Sequence, residues 1–468
     1  MKFWALILGI AFLTGCAHFH SQPIFPEKTA ALLDARRLED AGLKKFLEQN
    51  LGHELKDCKN WDLRELTLAA FYFHPGLEVA RAQWVVASAG LRTAGTRPNP
   101  SVSVTPGYDT QIPGNYSPWL VPVIFDLPIE TAGKRGKRMA EAEKNAEVAR
   151  WNFVSASWQI RNGVRVSLLE FKIAERRAGL LQEQLAEQKQ IVKLLHERFE
   201  AGEISRPEAT IAQIALNKTQ LDLGDAQSKR AEARARLGEA IGLTDAALQG
   251  EGLNFDFVTP DAKALTSAEA RGVALRSRAD ILAALAGYAA AEADLRLQIA
   301  KQYPDLHLGP AYAWNTGSAG DNQWSLGATL ELPILDQNQG PIAEAEARRK
   351  LAGAQFLALQ SQVVGEIDRA VAGFRVAQEQ LQAGNELLAT EQQQRKSTEA
   401  QLKAGGGDPL DVLAAQLELS NASLAQLDNE ARLQNAFGAL ENALQRPADS
   451  ISEVIRNISA KQTNHSYQ

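Results

Sequence analysis

The feature that most constrains this chain is an internal duplication with a period near 204 residues. Residues 74–108 align with residues 278–312 at an offset of 204, pairing Leu77 with Ile281, Pro100 with Pro304, Pro106 with Pro310 and Tyr108 with Tyr312. The match resumes at 205, pairing Trp119 with Trp324 and Leu127-Pro128-Ile129 with Leu332-Pro333-Ile334. It returns at 203, pairing Ala201-Gly202 with Ala404-Gly405 and Ala212-Gln213 with Ala415-Gln416. Solenoid repeats run ~20–50 residues, so this period marks a duplicated structural half. The 468 residues therefore read as two intertwined halves rather than three ordinary domains of about 150 residues each.

The N-terminus reads as a targeting segment. Lys2 precedes an apolar run from Phe3 to Leu13, 11 residues long, where a bilayer span needs ~20. Leu13-Thr14-Gly15-Cys16 then resembles a bacterial lipobox, with Cys16 as the lipidated residue. Ala17, rather than Asp, follows the cysteine, which in such lipoproteins implies sorting to the outer membrane. Only Cys58 remains, so no internal disulfide is expected. No later apolar run reaches the length of a transmembrane helix. A net charge of -6 carries no nucleic-acid footprint.

Between the halves' helices lie short segments of period 2. Val102, Val104, Pro106 and Tyr108 alternate with Ser101, Ser103 and Thr105. Leu306, Leu308, Pro310, Tyr312 and Trp314 alternate with Asp305, His307, Gly309, Ala311 and Ala313, and Trp324 to Leu332 repeats the design. These are strands, and ~10 residues suits a tilted membrane-crossing strand. A bulky apolar face opposite a small or polar one fits lipid outside and water inside. A soluble antiparallel sheet with one wet face gives the same pattern, so the strands alone leave both readings open. The turn-rich loops 109–118 and 315–322 join them.

Each hairpin leads into a very long helix. Residues 134–200 contain no proline and span ~100 Å at 1.5 Å per residue. Residues 341–403 repeat the design. Glycine-containing tips, Ala201-Gly202 and Ala404-Gly405, precede returning helices whose apolar seams (Leu410, Leu413, Leu417, Leu424, Leu427, with Ser420 the polar intruder) keep coiled-coil spacing. The expected domains are a signal peptide over 1–15, a lipidated tether over 16–60, a first repeat over 61–260, a second over 261–446 and a polar tail over 447–468. The first repeat holds an opening helix from Asp62 to Ala94, hairpin 100–128, helix 134–200 and return helix 206–243. The second holds an opening helix, hairpin 304–333, helix 341–403 and return helix 409–446.

Four strands cannot close a membrane barrel, and open edges are not tolerated in hydrocarbon. If the strands are in the membrane, identical chains must pool them. Two chains supply eight strands, which leave room for side chains alone; three supply twelve, which leave a lumen.

Strand hairpins running into ~100 Å coiled coils, the lipobox and the duplication together resemble the TolC-type outer-membrane efflux family over nearly the whole mature chain. The residues that carry the resemblance are Ala201-Gly202 with Ala212-Gln213, Ala404-Gly405 with Ala415-Gln416, the Leu-Pro-Ile exits and the Asp280-Ile281 helix start. The first half departs at His74-Pro75-Gly76-Leu77, opposite Arg278-Ala279-Asp280-Ile281. The resemblance implies an α+β membrane protein. A homotrimer would build a twelve-stranded outer-membrane β-barrel and a long antiparallel coiled-coil α-barrel through the periplasm, closed at its tips until an adaptor and an inner-membrane pump engage it. Thr131 to Arg138 is similar to the Gly-Lys-Arg motif of the outer-membrane lipoprotein components of heavy-metal cation efflux systems, so metal export is favoured. Drug efflux and type I protein secretion are the alternatives.

Several side chains follow as candidates. Lys134, Arg135, Lys137 and Arg138 crowd a helix N-terminus, where the dipole disfavours cations by up to ~1 kcal/mol each. Lipid phosphates or nearby carboxylates would offset this, and a solvated cluster is the alternative. Asp408 at the second tip, and Glu203 more weakly at the first, are candidates for a gating carboxylate ring. Asp408 with Pro409 also fits a helix cap. Trp119, Trp324, Tyr312 and Trp314 fit an interfacial aromatic girdle, with core packing as the alternative. His307 is a candidate lumen residue.

The seven histidines and two methionines show no metal-ligand spacing, so neither a cofactor nor a tight metal site is expected here. No phosphate loop or nucleophile elbow is present, so no enzyme is expected. The rival outside this class is a structural envelope-spanning coiled-coil lipoprotein, which leaves the strands without a task.

Overall fold

The computed structural model describes residues 18–51, 60–108, 110–111, 118–257, 265–315 and 322–446. The signal peptide, Cys16, Cys58, most of both hairpin loops and the tail 447–468 lie outside the described residues.

The elements, in chain order, are α1 (Pro26–Asp34), α2 (Ala41–Leu51), β1 (Asn60–Trp61), α3 (Leu63–Phe73), α4 (Pro75–Ala94), β2 (Ser101–Val104), β3 (Gly107–Tyr108), β4 (Trp119–Ile129), α5 (Lys134–Glu200), α6 (Arg206–Ile241), β5 (Gly252–Leu253), α7 (Ala268–Ser277), α8 (Ala279–Ala300), β6 (Leu306–Asn315), β7 (Gln323–Leu330), α9 (Gln339–Lys403) and α10 (Pro409–Leu444).

Local chemistry places the boundaries. Asp62 caps α3, accepting from the Glu65 N–H at 2.8 Å, while Glu65 Oε2 accepts from the Asp62 N–H at 3.0 Å. The opening helix predicted over 62–94 is divided at His74, because Pro75 cannot donate into a continuing helix and instead begins the next one. Both long helices end in the same glycine cap. Gly202 (φ 75°) and Gly405 (φ 82°) adopt the left-handed conformation. The Glu203 N–H reaches Arg198 O at 2.9 Å, and the Gly406 N–H reaches Gln401 O at 3.1 Å.

The helices lie side by side. α5 packs against α6 and α10, and α10 packs against α9, so α5 and α10 join the two hairpins. The contacts across that junction are polar as well as apolar. Ser420, the intruder in the apolar seam, is buried and donates to Glu187 Oε2 at 2.8 Å. Gln184 Nε2 donates to Asn421 Oδ1 at 2.8 Å. Deeper in, Glu441 faces Arg161 at 3.4 Å and Arg165 at 3.3 Å, with every side chain 3% exposed. Arg165 also donates to Gln434 O at 2.8 Å.

The hydrophobic core divides as the repeat does. One cluster gathers Trp61, Leu66, Phe71, Trp84, Phe153 and Leu168; a second gathers Ile281, Val363, Phe374, Phe437 and Leu440. The segment expected as a tether contributes to the first. Leu43 and Leu47, one helical turn apart on α2, are fully buried, as is Leu38 nearly so. Arg36 also donates to Phe73 O at 2.8 Å and Gly242 O at 3.0 Å. Residues 36–51 are thus docked, because an apolar pair at i, i+4 sits inside a sequence of mixed polarity.

The sheet orders its strands β2/β3, β4, β6, β7, all antiparallel. The first strand of hairpin one is interrupted at Thr105-Pro106. The last strand ends at Leu330, short of the expected Pro333. Pro128 is accommodated because β2 pairs with β4 only as far as Asp126, so among the described residues Pro128 has a neighbour on the β6 side alone, opposite His307. Pro333 follows an edge strand with no neighbour beyond it among the described residues.

Candidate conduit wall, rim and tips

Register sorts the sheet's side chains into two faces, since directly opposed residues share a face. Val102 opposes Phe125, Val121 opposes Trp314, Val123 opposes Tyr312, Leu127 opposes Leu308, Tyr312 opposes Trp324 and Leu306 opposes Leu330. The reverse face carries Ser101, Ser103, Asp126, His307, Gly309, Ala311, Ser325, Gly327 and Thr329, with Leu120 and Ile124 the large apolar exceptions. Among the described residues the apolar face is uncovered: Trp324 is 79% exposed, Leu326 75% and Trp314 58%. The principal neighbours of every strand in this sheet are other strands. Among the described residues this sheet is not packed face-on against the chain's own helices. The outer edges of β2/β3 and of β7 are also open among the described residues.

Aromatic pairs mark the loop end of both hairpins. Tyr108 and Trp119 stack edge to face with ring centres 5.2 Å apart, and Tyr312 and Trp324 lie 4.8 Å apart. The duplication thus reproduces one cross-strand pair twice. Trp119 is 49% exposed, so none of these tryptophans is a core residue. On the polar face, His307 Nδ1 lies 3.0 and 3.1 Å from the two carboxylate oxygens of Asp126.

At the opposite end the strands meet the long helices. Gly133 (φ 67°) and Asn338 (φ 60°), equivalent at an offset of 205, are left-handed residues that turn the chain into α5 and α9. The four cations after Gly133 are all engaged. Lys134 Nζ, buried, donates to Asp305 Oδ1 at 2.8 Å, and the Thr131 N–H donates to the same oxygen at 2.9 Å. Arg138 holds Glu130 with both guanidinium nitrogens and donates to Thr96 O at 3.2 Å. Arg135 Nε donates to Gly95 O at 2.6 Å, and Lys137 Nζ to Ala132 O at 3.0 Å. Neighbouring carboxylates and carbonyls thereby offset the unfavourable dipole. Burial pushes the Asp305 carboxyl up, but the hydrogen bonds from Lys134 and Thr131 outweigh it and hold the group below its ordinary range.

At the far ends of the helices, Asp408 caps α10 by accepting from the Leu410 N–H at 2.9 Å, with Pro409 opening the helix. The same Oδ1 accepts from Arg198 Nη2 of the first hairpin at 2.7 Å. This hydrogen bond, together with the Leu410 N–H, holds the carboxyl below its ordinary value. Glu203 is exposed at the first tip, where its charge acts on Arg198. Sequence reasoning named Asp408 but not Arg198, because nothing local links residues 210 positions apart.

The model described as "Outer membrane efflux protein" matches residues 73–243 and 271–445, one match per repeat. The cobalt-zinc-cadmium resistance protein CzcC of Cupriavidus metallidurans is 26% identical over 309 residues, covering 65% of this chain and 72% of that protein. Nodulation protein T of Rhizobium leguminosarum bv. trifolii is 24% identical over 314 residues, covering 64% and 65%. Among solved structures, the outer membrane protein VceC of Vibrio cholerae superposes with a TM-score of 0.67 at 21% identity, over 83% of this chain and 97% of that one. CusC superposes with 0.67 at 18% identity, over 92% and 99%. These likenesses establish the fold.

Proposed function

This chain belongs to the outer membrane efflux protein family, and from that premise we propose that it is the exit duct of a tripartite efflux system for heavy-metal cations. The observation that carries the duct is the four-stranded sheet with one uncovered apolar face and two open edges, continuous with two hairpins of long helices. Unpaired edges in hydrocarbon cost on the order of several kcal/mol per orphaned group. Three chains side by side satisfy them and supply twelve strands. The apolar face then meets lipid, the polar face lines the lumen, and Trp119, Trp314, Tyr312 and Trp324 lie at one interface. Below the membrane the paired helices continue the tube.

The duct does no chemistry. An adaptor and an inner-membrane pump provide energy and cargo choice, and the tips carrying Asp408, Glu203 and Arg198 are where they act on the closed state. Lys134, Arg135, Lys137 and Arg138 brace the junction between barrel and helices. Cys16 carries the lipid, which labelled palmitate and a Cys16→Ala variant test.

Heavy metal is favoured as cargo by the similarity to the cobalt-zinc-cadmium resistance protein. A strain lacking this chain should become sensitive to cobalt, zinc and cadmium and keep its drug tolerance. Sensitivity confined to drugs would move the duct to a drug-efflux system.

A further inference from the structure

We propose that His307 and Asp126 form a low-affinity chelating pair for a borderline transition-metal cation such as Zn²⁺ on the polar face of the sheet. The proposal rests on reading that face as the conduit wall. His307 Nδ1 stands 3.0 Å from Asp126 Oδ1 and 3.1 Å from Oδ2. Two ligand atoms each ~2.0–2.2 Å from one zinc ion stand about 3.0–3.5 Å apart, so the pair already has the bite of a shared cation. Both side chains are accessible, at 42% and 43%.

The surroundings leave room for the ion's remaining waters. Opposite Asp126 stands Ser101, and opposite His307 stand Pro128 and Thr329. The carboxylate that precedes β6, Asp305, is taken by Lys134 and Thr131 and supplies no third ligand. Among the described residues, no group of three or more His, Cys, Asp and Glu side chains is placed to hold a metal.

Two protein ligands suit a duct. A passing ion must bind well enough to enter and weakly enough to leave, and a closed four-ligand cage would stop it. Imidazole selects Zn²⁺, Co²⁺ and Ni²⁺ over Mg²⁺ and Ca²⁺. On binding, the Nδ1 lone pair and a carboxylate oxygen of Asp126 coordinate the cation, the ring carries its single proton on Nε2, and any further proton held between the two side chains is released to solvent.

The test is calorimetric titration of the full chain, purified in detergent, with Zn²⁺ alone. His307→Asn should remove one zinc equivalent per chain. Asp126→Asn should weaken that equivalent about tenfold, and Asp126→His should tighten it about tenfold. Mg²⁺ should give no heat that depends on either residue. Unchanged zinc stoichiometry in an assembled His307→Asn protein overturns the site and leaves the pair as a staple between β4 and β6. If that variant fails to assemble, Asp126→His decides, and unchanged affinity overturns the proposal. The cargo is tested separately: a drug-only sensitivity profile removes the heavy-metal reading while this titration stands.

Discussion

Arg198, in the last turn of the first long helix, donates to Asp408 Oδ1 at 2.7 Å, and so ties together the tips of two hairpins whose partners are 210 positions apart in the chain. Asp408 is at once this tie and the cap of α10.

The two roles separate by substitution. Asparagine caps a helix about as well as aspartate but carries no charge for Arg198. Asp408→Asn and Arg198→Ala should each raise open probability in planar bilayers by about two- to fivefold, the scale of an exposed ion pair. Asp408→Ala should do the same and also lower helicity at the tip. Unchanged closed probability in Asp408→Asn would release this pair from the gate.

The same pair sets a pH expectation. Arg198 and the Leu410 N–H depress the Asp408 pKa. A depressed carboxyl contributes above its ordinary pKa, and the contribution is lost as pH falls through the lowered value. Closure should therefore be flat with pH down to about 4 and weaken only below it. A transition near neutral pH would place control on another group.

The sheet's two faces predict opposite outcomes for adjacent residues. Leu326 is 75% exposed on the apolar face, while Ser325 opposes Ala311 on the other. Leu326→Arg should cost about 2–4 kcal/mol at bilayer depth and abolish the heat-modifiable outer-membrane form. Ser325→Arg should assemble and reduce conductance. Equal tolerance of both would contradict membrane insertion of β7.

Gly438 permits the closest approach in the buried network. A Cβ there would lie 2.0 Å from Arg165 Nη1, displacing the guanidinium from Glu441 and from Gln434 O. Gly438→Ala should destabilise by about 1–3 kcal/mol, read as a lower thermal midpoint by circular dichroism. An unchanged midpoint would mean Arg165 has another place to go.

At the rim, Asp305→Asn leaves the buried Lys134 ammonium without its counter-charge. It should cost about 1–3 kcal/mol, and Lys134→Met with Asp305→Asn should cost less than the two singly added. Thermal unfolding of the four proteins closes the cycle.

Sequence alone determined the duplication, the extents of α5, α6, α9 and α10 to within a few residues, the glycine tips and the alternation of the strands. These are legible because each is set locally: 3.6- and 2-residue periods, a proline-free run, a glycine free to adopt positive φ. Tertiary structure alone decided which tip cation meets Asp408, that Glu187 receives Ser420, that Asp305 takes Lys134, and that residues 36–51 dock on the first core. It also decided that β4 and β6 join the hairpins into one sheet, which places Asp126 beside His307. Pairings of this kind join residues more than a hundred positions apart, and no periodicity within one segment encodes which side chain another segment brings to it.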